Sequence, residues 1–354
     1  ASYTDKLGNL ASLRHDLPLI QVIGMDGTMT EKAGAQYQGL AAEDARTKFV
    51  HWLRETGLMI KEEESVQNVS AHERFGDVTE VLPMTQWFVN VNKVIPGREK
   101  SLKDLMREAV AKTPEAASPK TITITPERFT KAYFQWVDNL RDWCVSRQIW
   151  WGHRIPVYYR KQGNSNFQFP NSKPNPKDIF IGTNPPNHDE WEQDPDTLDT
   201  WFSSGLWTFS TLGWPFDSAP STSLRTSQDK PKKTGDLAAY HPTTWMQMGY
   251  EILFFWMARM ILMSTYTLSE IPFHDAYIHG MLRDKNGKKF SKSLGTGIDP
   301  IKIIETYGAD ALRISLIAGI TPGNDAKFYE EKVAGARNFV NKLWNISRFI
   351  ITTT

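Results

Sequence analysis

Cysteine is almost absent from this chain: Cys144 is the single one among 354 residues. No internal disulfide can form, and a zinc site built on several cysteines is excluded. A lone thiol fits a reducing compartment, and the cytoplasm is the expected setting. Charge of one sign is lacking as well. The formal net charge is +1, so any nucleic-acid surface must be a local patch. No apolar run is long enough to span a bilayer. The nearest, 252–263, contains Arg259, follows Glu251 and reads as a buried core helix. No internal repeat is visible. Residue 1 is Ala, not Met, and a helical pattern runs on through 348–354, so a piece of a longer protein is expected.

What is present suits a soluble globular protein of two or three domains, with 40% hydrophobic and 23% charged residues. Residues 17–23 read as a strand before a turn at 25–28. Ala42, Ala45, Phe49, Trp52 and Leu53 recur at helical spacing, predicting a helix over 41–57 that Gly57 stops. A second helix is predicted over 101–112, and a strand over 276–279. Asp299-Pro300 opens a further helix, with Asp as N-cap and Pro in the first turn. Residues 308–320 and 329–353 follow as amphipathic helices. Trp136, Trp143 and Trp150 are spaced by seven and on one helix would share a face, a core stripe. Residues 160–195 and 214–239, rich in Asn, Pro, Ser and Lys, read as surface insertions.

Four stretches carry candidate chemistry. Gly287-Lys-Lys-Phe-Ser-Lys-Ser-Leu-Gly295 sets Lys289 and Lys292 among small residues. Two ammonium groups on a glycine-bounded loop suit a polyphosphate on which charge develops. The same residues also suit an exposed basic turn, since Asp284-Lys-Asn-Gly287 is a turn signal. In Gly249-Tyr-Glu-Ile252, Gly249 would let a ligand approach the backbone and Glu251 could accept ribose hydroxyls. Ile252 and Trp256, four apart, could wall an apolar pocket. Taken alone, the stretch fits a buried helix with an acid at its positive end better. Asp199-Thr-Trp-Phe-Ser-Ser204 puts Trp201 beside hydroxyls, either a pocket wall or a packed turn. Between 140 and 156, Arg141, Arg147, His153 and Arg154 mix with tryptophans, either an RNA-end surface or a helix with surface arginines.

In this order, these stretches resemble the second half of the catalytic domain of class I aminoacyl-tRNA synthetases. The lysine stretch is similar to the class signature Lys-Met-Ser-Lys-Ser, with Phe290 where Met is usual. Arg141-Asp-Trp-Cys-Val-Ser-Arg-Gln148 and Trp150-Trp-Gly-His-Arg-Ile-Pro156 resemble stretches shared by the Ile/Leu/Val group. Asp199-Thr-Trp-Phe-Ser-Ser-Gly-Leu-Trp207, Phe209-Ser-Thr-Leu-Gly-Trp-Pro215, Gly249-Tyr-Glu251 and Pro322-Gly-Asn-Asp325 resemble the valyl enzymes, with the isoleucyl enzymes as runner-up. The resemblance covers almost the whole chain.

The resemblance implies an α/β fold: the second half of a Rossmann-type catalytic domain, with ATP at the carboxyl ends of parallel strands. It divides the chain into the tail of an editing domain at 1–82, catalytic domain at 83–280, the lysine loop and stem-contact region at 281–325, and the start of a helical anticodon-binding domain at 326–354. It implies that Lys289 and Lys292, flanked by Ser291 and Ser293, hold the triphosphate and the leaving pyrophosphate. Gly249 and Glu251 would meet the adenosine ribose, His279 and Gly280 the adenine, and Trp201, Ile252 and Trp256 the valine side chain. Arg141, Arg147 and Arg154 would touch tRNA. The implied partners are valine, ATP with Mg²⁺, and tRNA(Val), acted on by a monomer with no membrane partner. Asp5 matches an editing-site Asp, but Gly8 stands where a second is expected. The class signature His-Ile-Gly-His is absent from the sequence. Ala71-His-Glu-Arg-Phe-Gly76 replaces a frequent cysteine pair, so no metal is expected there. The chain by itself is expected to be inactive. A non-catalytic tRNA-binding relative is the alternative from another class, and retention of both lysines argues against it.

Overall fold

The structure, a computed structural model, describes residues 20–66, 68, 69, 71, 78–80, 82, 84, 86–161, 176–215, 233–290 and 297–353. The chain divides into two compact units, Ala1–Thr85 and Gln86–Thr354.

In the first unit, the Asp26 carboxylate accepts the Thr28 amide at 3.0 Å, and Gly27 takes φ +79°, closing a turn bracketed by the bridge Ile23↔Met29. The predicted helix runs Ala42–Glu55. It buries Ala45, and Phe49 packs edge-on against Tyr37 and stacks on Trp52. Gly57, at φ +70°, follows its end, a conformation that costs glycine little.

The second unit is built on a parallel sheet. Phe273–His279 is the central strand, flanked by Thr123–Thr125 and Thr243–Gly249. Register is set by Asp275 opposite Thr123 and Trp245, and by His279 opposite Gly249. Alternation fixes which side is covered. Met246, Met248, Ala276 and Ile278 face the main core with Ile124. On the opposite face Trp245 is 54% exposed beside Tyr277. Helices Leu102–Glu108, Arg128–Asp138 and Ala258–Thr267 supply Met106, Tyr133, Val137, Met260 and Ile261 to the core. Ser101 and Asp104 form a reciprocal cap at the start of the first of these, which is shorter than the 101–112 expected.

Three expectations need correction. The tryptophan stripe is not one helix face. Arg128–Asp138 ends before Trp143, which lies in a strand paired with Phe88–Val89, and Trp150 is fully exposed beyond it. Residues 160–195 are not merely surface: Val157–Arg160 pairs with Ile179–Ile181 and Trp191–Gln193 in an antiparallel sheet. Contacts of Phe180 with Tyr158 and Trp191 supply the cross-strand packing. Beneath it, buried Asp194 accepts both Trp87 Nε1 at 2.7 Å and the Tyr159 hydroxyl at 3.0 Å. Within 214–239, Trp214 packs edge-on against Phe209, and Leu237, in the helix Gly235–Tyr240, is fully buried. A few apolar anchors sufficed where average composition looked polar.

At the carboxyl end of the chain, Pro300–Tyr307, Ala309–Ile317 and Glu330–Thr353 gather a separate small core of Ile303, Leu312, Phe328 and Val333. Asp299 caps the first of these helices, its carboxylate accepting the Ile301 amide at 2.9 Å.

Candidate active site

The carboxyl ends of the three parallel strands converge on the residues singled out from the sequence. In α/β sheets that edge is where ligands bind. Gly249 ends one strand opposite His279, which ends the central one. The Glu251 carboxylate, the free end of an exposed side chain, folds back to the space beside Gly249 at the strand end. Glu251 itself is exposed, in the single turn Tyr250–Ile252. His279 Nδ1 lies 2.7 Å from the Gly280 carbonyl oxygen.

The turn continues as a π-helical segment, Leu253–Met257, before the α-helix Ala258–Thr267 begins. Such wide turns often mark functional sites, and periodicity alone does not reveal them. This one carries Trp256, whose Nε1 donates to the Ser204 carbonyl at 3.1 Å. Trp201 stacks on Phe255 with ring centroids 5.8 Å apart. Trp201, Ile252 and Trp256 are each half-buried against the main core, and the Trp201–Phe255 and Trp256–Ser204 contacts bring two elements distant in sequence together.

A polar network that sequence reasoning missed centres on Asp199. Asp199 Oδ1 accepts the Trp201 amide at 3.1 Å, and Oδ2 accepts Arg147 Nη2 at 2.6 Å and Trp143 Nε1 at 3.1 Å. The Arg259 guanidinium sits 3.9 Å from the Trp143 ring centroid and 5.4 Å from that of Trp136. Burial pushes Arg259 down to about 10, against the pull of Asp199 and with a further push from Arg147. The available signal was a charged residue inside the apolar run 252–263.

Beyond His279 the chain makes the lysine hairpin. Arg283 bridges Lys289 across a turn in which the Gly287 amide donates to the Asp284 carbonyl at 3.0 Å. The Asp284 carboxylate also accepts the Asn286 and Lys288 amides, at 2.9 and 2.7 Å. Lys289 is exposed. Phe290 packs against Phe328 in the helical core, which gives an apolar residue between the signature positions a structural reason. Ser291, Lys292 and Ser293 lie outside the described residues, as does Asp5. Gly280 has a neighbour the sequence did not suggest: a Cβ there would run into the backbone of Asn324 and Asp325.

The candidate RNA-contacting arginines differ in their surroundings. Arg141 is exposed. Arg154 is exposed and donates to the Asp194 carbonyl at 3.2 Å. Arg147 is committed to Asp199 and to the carbonyls of Cys144 and Ser146. Near Arg154, Trp150 and Trp151 are 100% and 87% exposed.

Comparison with known proteins places the chain in a family. The family profile of tRNA synthetases class I (I, L, M and V) matches residues 39–329. The valine–tRNA ligase of Clostridium acetobutylicum is 43% identical over 344 residues, covering 96% of this chain and 34% of the relative. That of Oceanobacillus iheyensis is 44% identical over 339 residues, with the same coverage. The chain thus spans about a third of the length of these curated relatives. Among solved structures, Mycobacterium tuberculosis methionyl-tRNA synthetase bound by methionyl-adenylate aligns with TM-score 0.49 and 16% identity, over 77% of this chain and 41% of that one. The chain belongs to the class I tRNA synthetases of the isoleucine, leucine, methionine and valine group.

Proposed function

We propose that this chain supplies part of the aminoacylation site of a valine–tRNA ligase. The observation that carries the reading is the grouping of Gly249–Glu251, His279 and the Lys289 hairpin at one sheet edge, next to the wall of Trp201, Ile252 and Trp256. The names of the relatives, valine–tRNA ligases at 43% and 44% identity, favour valine over isoleucine.

In this reading the valine carboxylate attacks the α-phosphate of ATP. The bond to the β-phosphate breaks, giving valyl-adenylate and pyrophosphate. The acyl group then passes to a terminal ribose hydroxyl of tRNA(Val), releasing AMP. Glu251 accepts the ribose hydroxyls, and His279 and Gly280 border the adenine. Lys289 and Lys292 counter the charge that gathers on the departing phosphates, which is where fixed cations lower the barrier most. Ser291 and Ser293 add hydroxyls beside them. The tryptophans and Ile252 exclude water around the aliphatic side chain. Mg²⁺ would be held through the ATP phosphates as their counter-ion. Arg141 and Arg154, with Trp150, form the surface offered to tRNA.

The test is amino-acid-dependent ATP–pyrophosphate exchange by the complete polypeptide that carries this chain. Exchange driven by valine supports the reading, and exchange driven by isoleucine in its place refutes it. Ile252→Val should narrow the preference for valine over isoleucine by about fourfold, the transfer value of one methylene. An unmoved preference would remove Ile252 from the pocket.

A further inference from the structure

Asp325 gathers two separate chain segments, around Tyr250 and at 281–283, on one carboxylate. Oδ1 accepts the Met281 amide at 2.8 Å. Oδ2 accepts Arg283 Nε and, at 3.3 Å, the Tyr250 hydroxyl. Arg283 then reaches two further groups. Its Nη2 donates to the Tyr250 oxygen and its Nη1 to the Gly287 carbonyl, both at 3.2 Å. The backbone reinforces the closure: Ala326 donates to the Met281 carbonyl at 2.9 Å and Phe328 to that of Arg283 at 2.7 Å.

The neighbouring residues close the same clasp. The Tyr250 ring stacks on Phe129, with planes 12° apart. Arg128 Nη2 donates to Asn324 Oδ1 at 2.8 Å. Gly323, at φ +76°, has no room for a Cβ beside Arg128, Phe129 and Pro126. The segment 322–325 therefore ties together the chain leaving all three parallel strands. Charge complementarity sustains it. Burial would raise the Asp325 carboxyl, but hydrogen bonds from Met281, Arg283 and Tyr250 outweigh it and hold the group below its ordinary range.

Two of the tied residues adjoin the chemistry. Tyr250 immediately precedes Glu251. Arg283 bridges Lys289 and holds the Gly287 carbonyl in the hairpin turn. ATP, if bound as argued above, touches both Glu251 and Lys289, so their spacing must match the distance from its ribose to its terminal phosphates. We propose that Asp325 is a positioning residue for the nucleotide: through Tyr250 and Arg283 it sets the Glu251 turn and the Lys289 hairpin at one spacing. The inference rests on the reading of this edge as an ATP site. It assigns Asp325 no contact with substrate.

The experiment compares Asp325→Asn, Asp325→Glu and Tyr250→Phe in the complete polypeptide that carries this chain. Asp325→Asn keeps the shape and removes the charge. It should raise the KM for ATP in pyrophosphate exchange by about threefold or more, while the KM for valine holds. Limited trypsin digestion should cut after Lys288 and Lys289 faster than in the parent, a readout that needs no activity. Asp325→Glu should recover most of both effects. Tyr250→Phe keeps the stack on Phe129 and should move the ATP KM in the same direction by less. It also serves if Asp325→Asn does not fold. Unchanged ATP KM and unchanged cleavage in both Asp325→Asn and Tyr250→Phe would overturn the proposal, and so would equal rises in both KM values. If the parent shows no amino-acid-dependent exchange, the ATP-site reading fails, and the cleavage comparison still shows whether Asp325 holds the hairpin.

Discussion

Arg147 Nη2 and Asp199 Oδ2 form an ion pair at 2.6 Å across 52 residues of sequence, with the Asp199 side chain 7% exposed and that of Arg147 39%. The other oxygen of Asp199 holds the Trp201 amide, so this pair anchors the helix that carries Trp201. Removing the charge by Asp199→Asn leaves Arg147 and the buried Arg259 without their counter-ion. The cost should be about 2 kcal/mol, below that of a fully buried pair because Arg147 keeps solvent. Asp199→Ala also removes the cap, worth about 1 kcal/mol more. Urea unfolding measures both. The KM for valine should rise in step with the loss, because Trp201 loses its anchor. A stable Asp199→Asn protein would show that the pair is incidental.

Lys289→Ala separates the two meanings of a basic hairpin. Lys289 is exposed, and the turn is held by Asp284 and Gly287 in place of its ammonium group. Stability should therefore hold. If the ammonium group stabilises the departing phosphates, kcat for exchange should fall by about 10²- to 10³-fold with the KM for valine unchanged. Lys292→Ala should behave likewise. A loss confined to valine affinity would contradict the phosphate role.

Gly280→Ala discriminates packing from ligand contact. A Cβ at this position meets the Asn324 carbonyl and the Asp325 amide, which are backbone atoms and move only with the whole clasp. Overpacking of this kind should cost about 1–3 kcal/mol, and exchange activity should fall together with stability. If thermal unfolding is unchanged and the KM for ATP alone rises, adenine contact is the reason for glycine here.

These cases show what kind of information a sequence displays. Local rules were readable. Asp299-Pro300 announced a helix start, Asp284–Gly287 announced a turn, and the 276–279 strand was placed correctly, though it begins earlier, at Phe273. Motif order identified the sheet edge that carries Glu251 and the lysine hairpin. Contacts between distant segments were not readable. Nothing near Asp325 in sequence points to Arg283, 42 residues away, or to Tyr250, 75 away. The seven-residue tryptophan spacing misled because periodicity presumes an unbroken helix, whereas Trp143 sits in a strand. The π-helical turn at Leu253–Met257 escaped for the opposite reason. Its apolar residues fit an α-helix equally well, and only the backbone shows the wider turn.

His241 ties stability to pH. It is buried, with Nε2 at 3.2 Å from Ser264 Oγ and Nδ1 at 3.6 Å from Glu270 Oε2. Lys233 pairs with the same Glu270 at 2.6 Å and donates to the His241 carbonyl. Burial, helped by Lys233 and opposed by Glu270, lowers the imidazole from 6.5 to about 4. The unfolded chain takes up this proton near the ordinary value, and the folded chain only near the lowered one. Between the two, the unfolded state binds more protons, so the contribution of His241 is complete above the ordinary pKa and is lost as pH falls toward the folded one. Urea midpoints measured from neutral pH downward should therefore decline through this window. Carboxylates titrate there too, so the comparison is with His241→Gln, which cannot charge and should decline less steeply. Parallel profiles for the two proteins would mean that the folded imidazole takes up its proton as readily as the unfolded one, with Glu270 offsetting burial and Lys233.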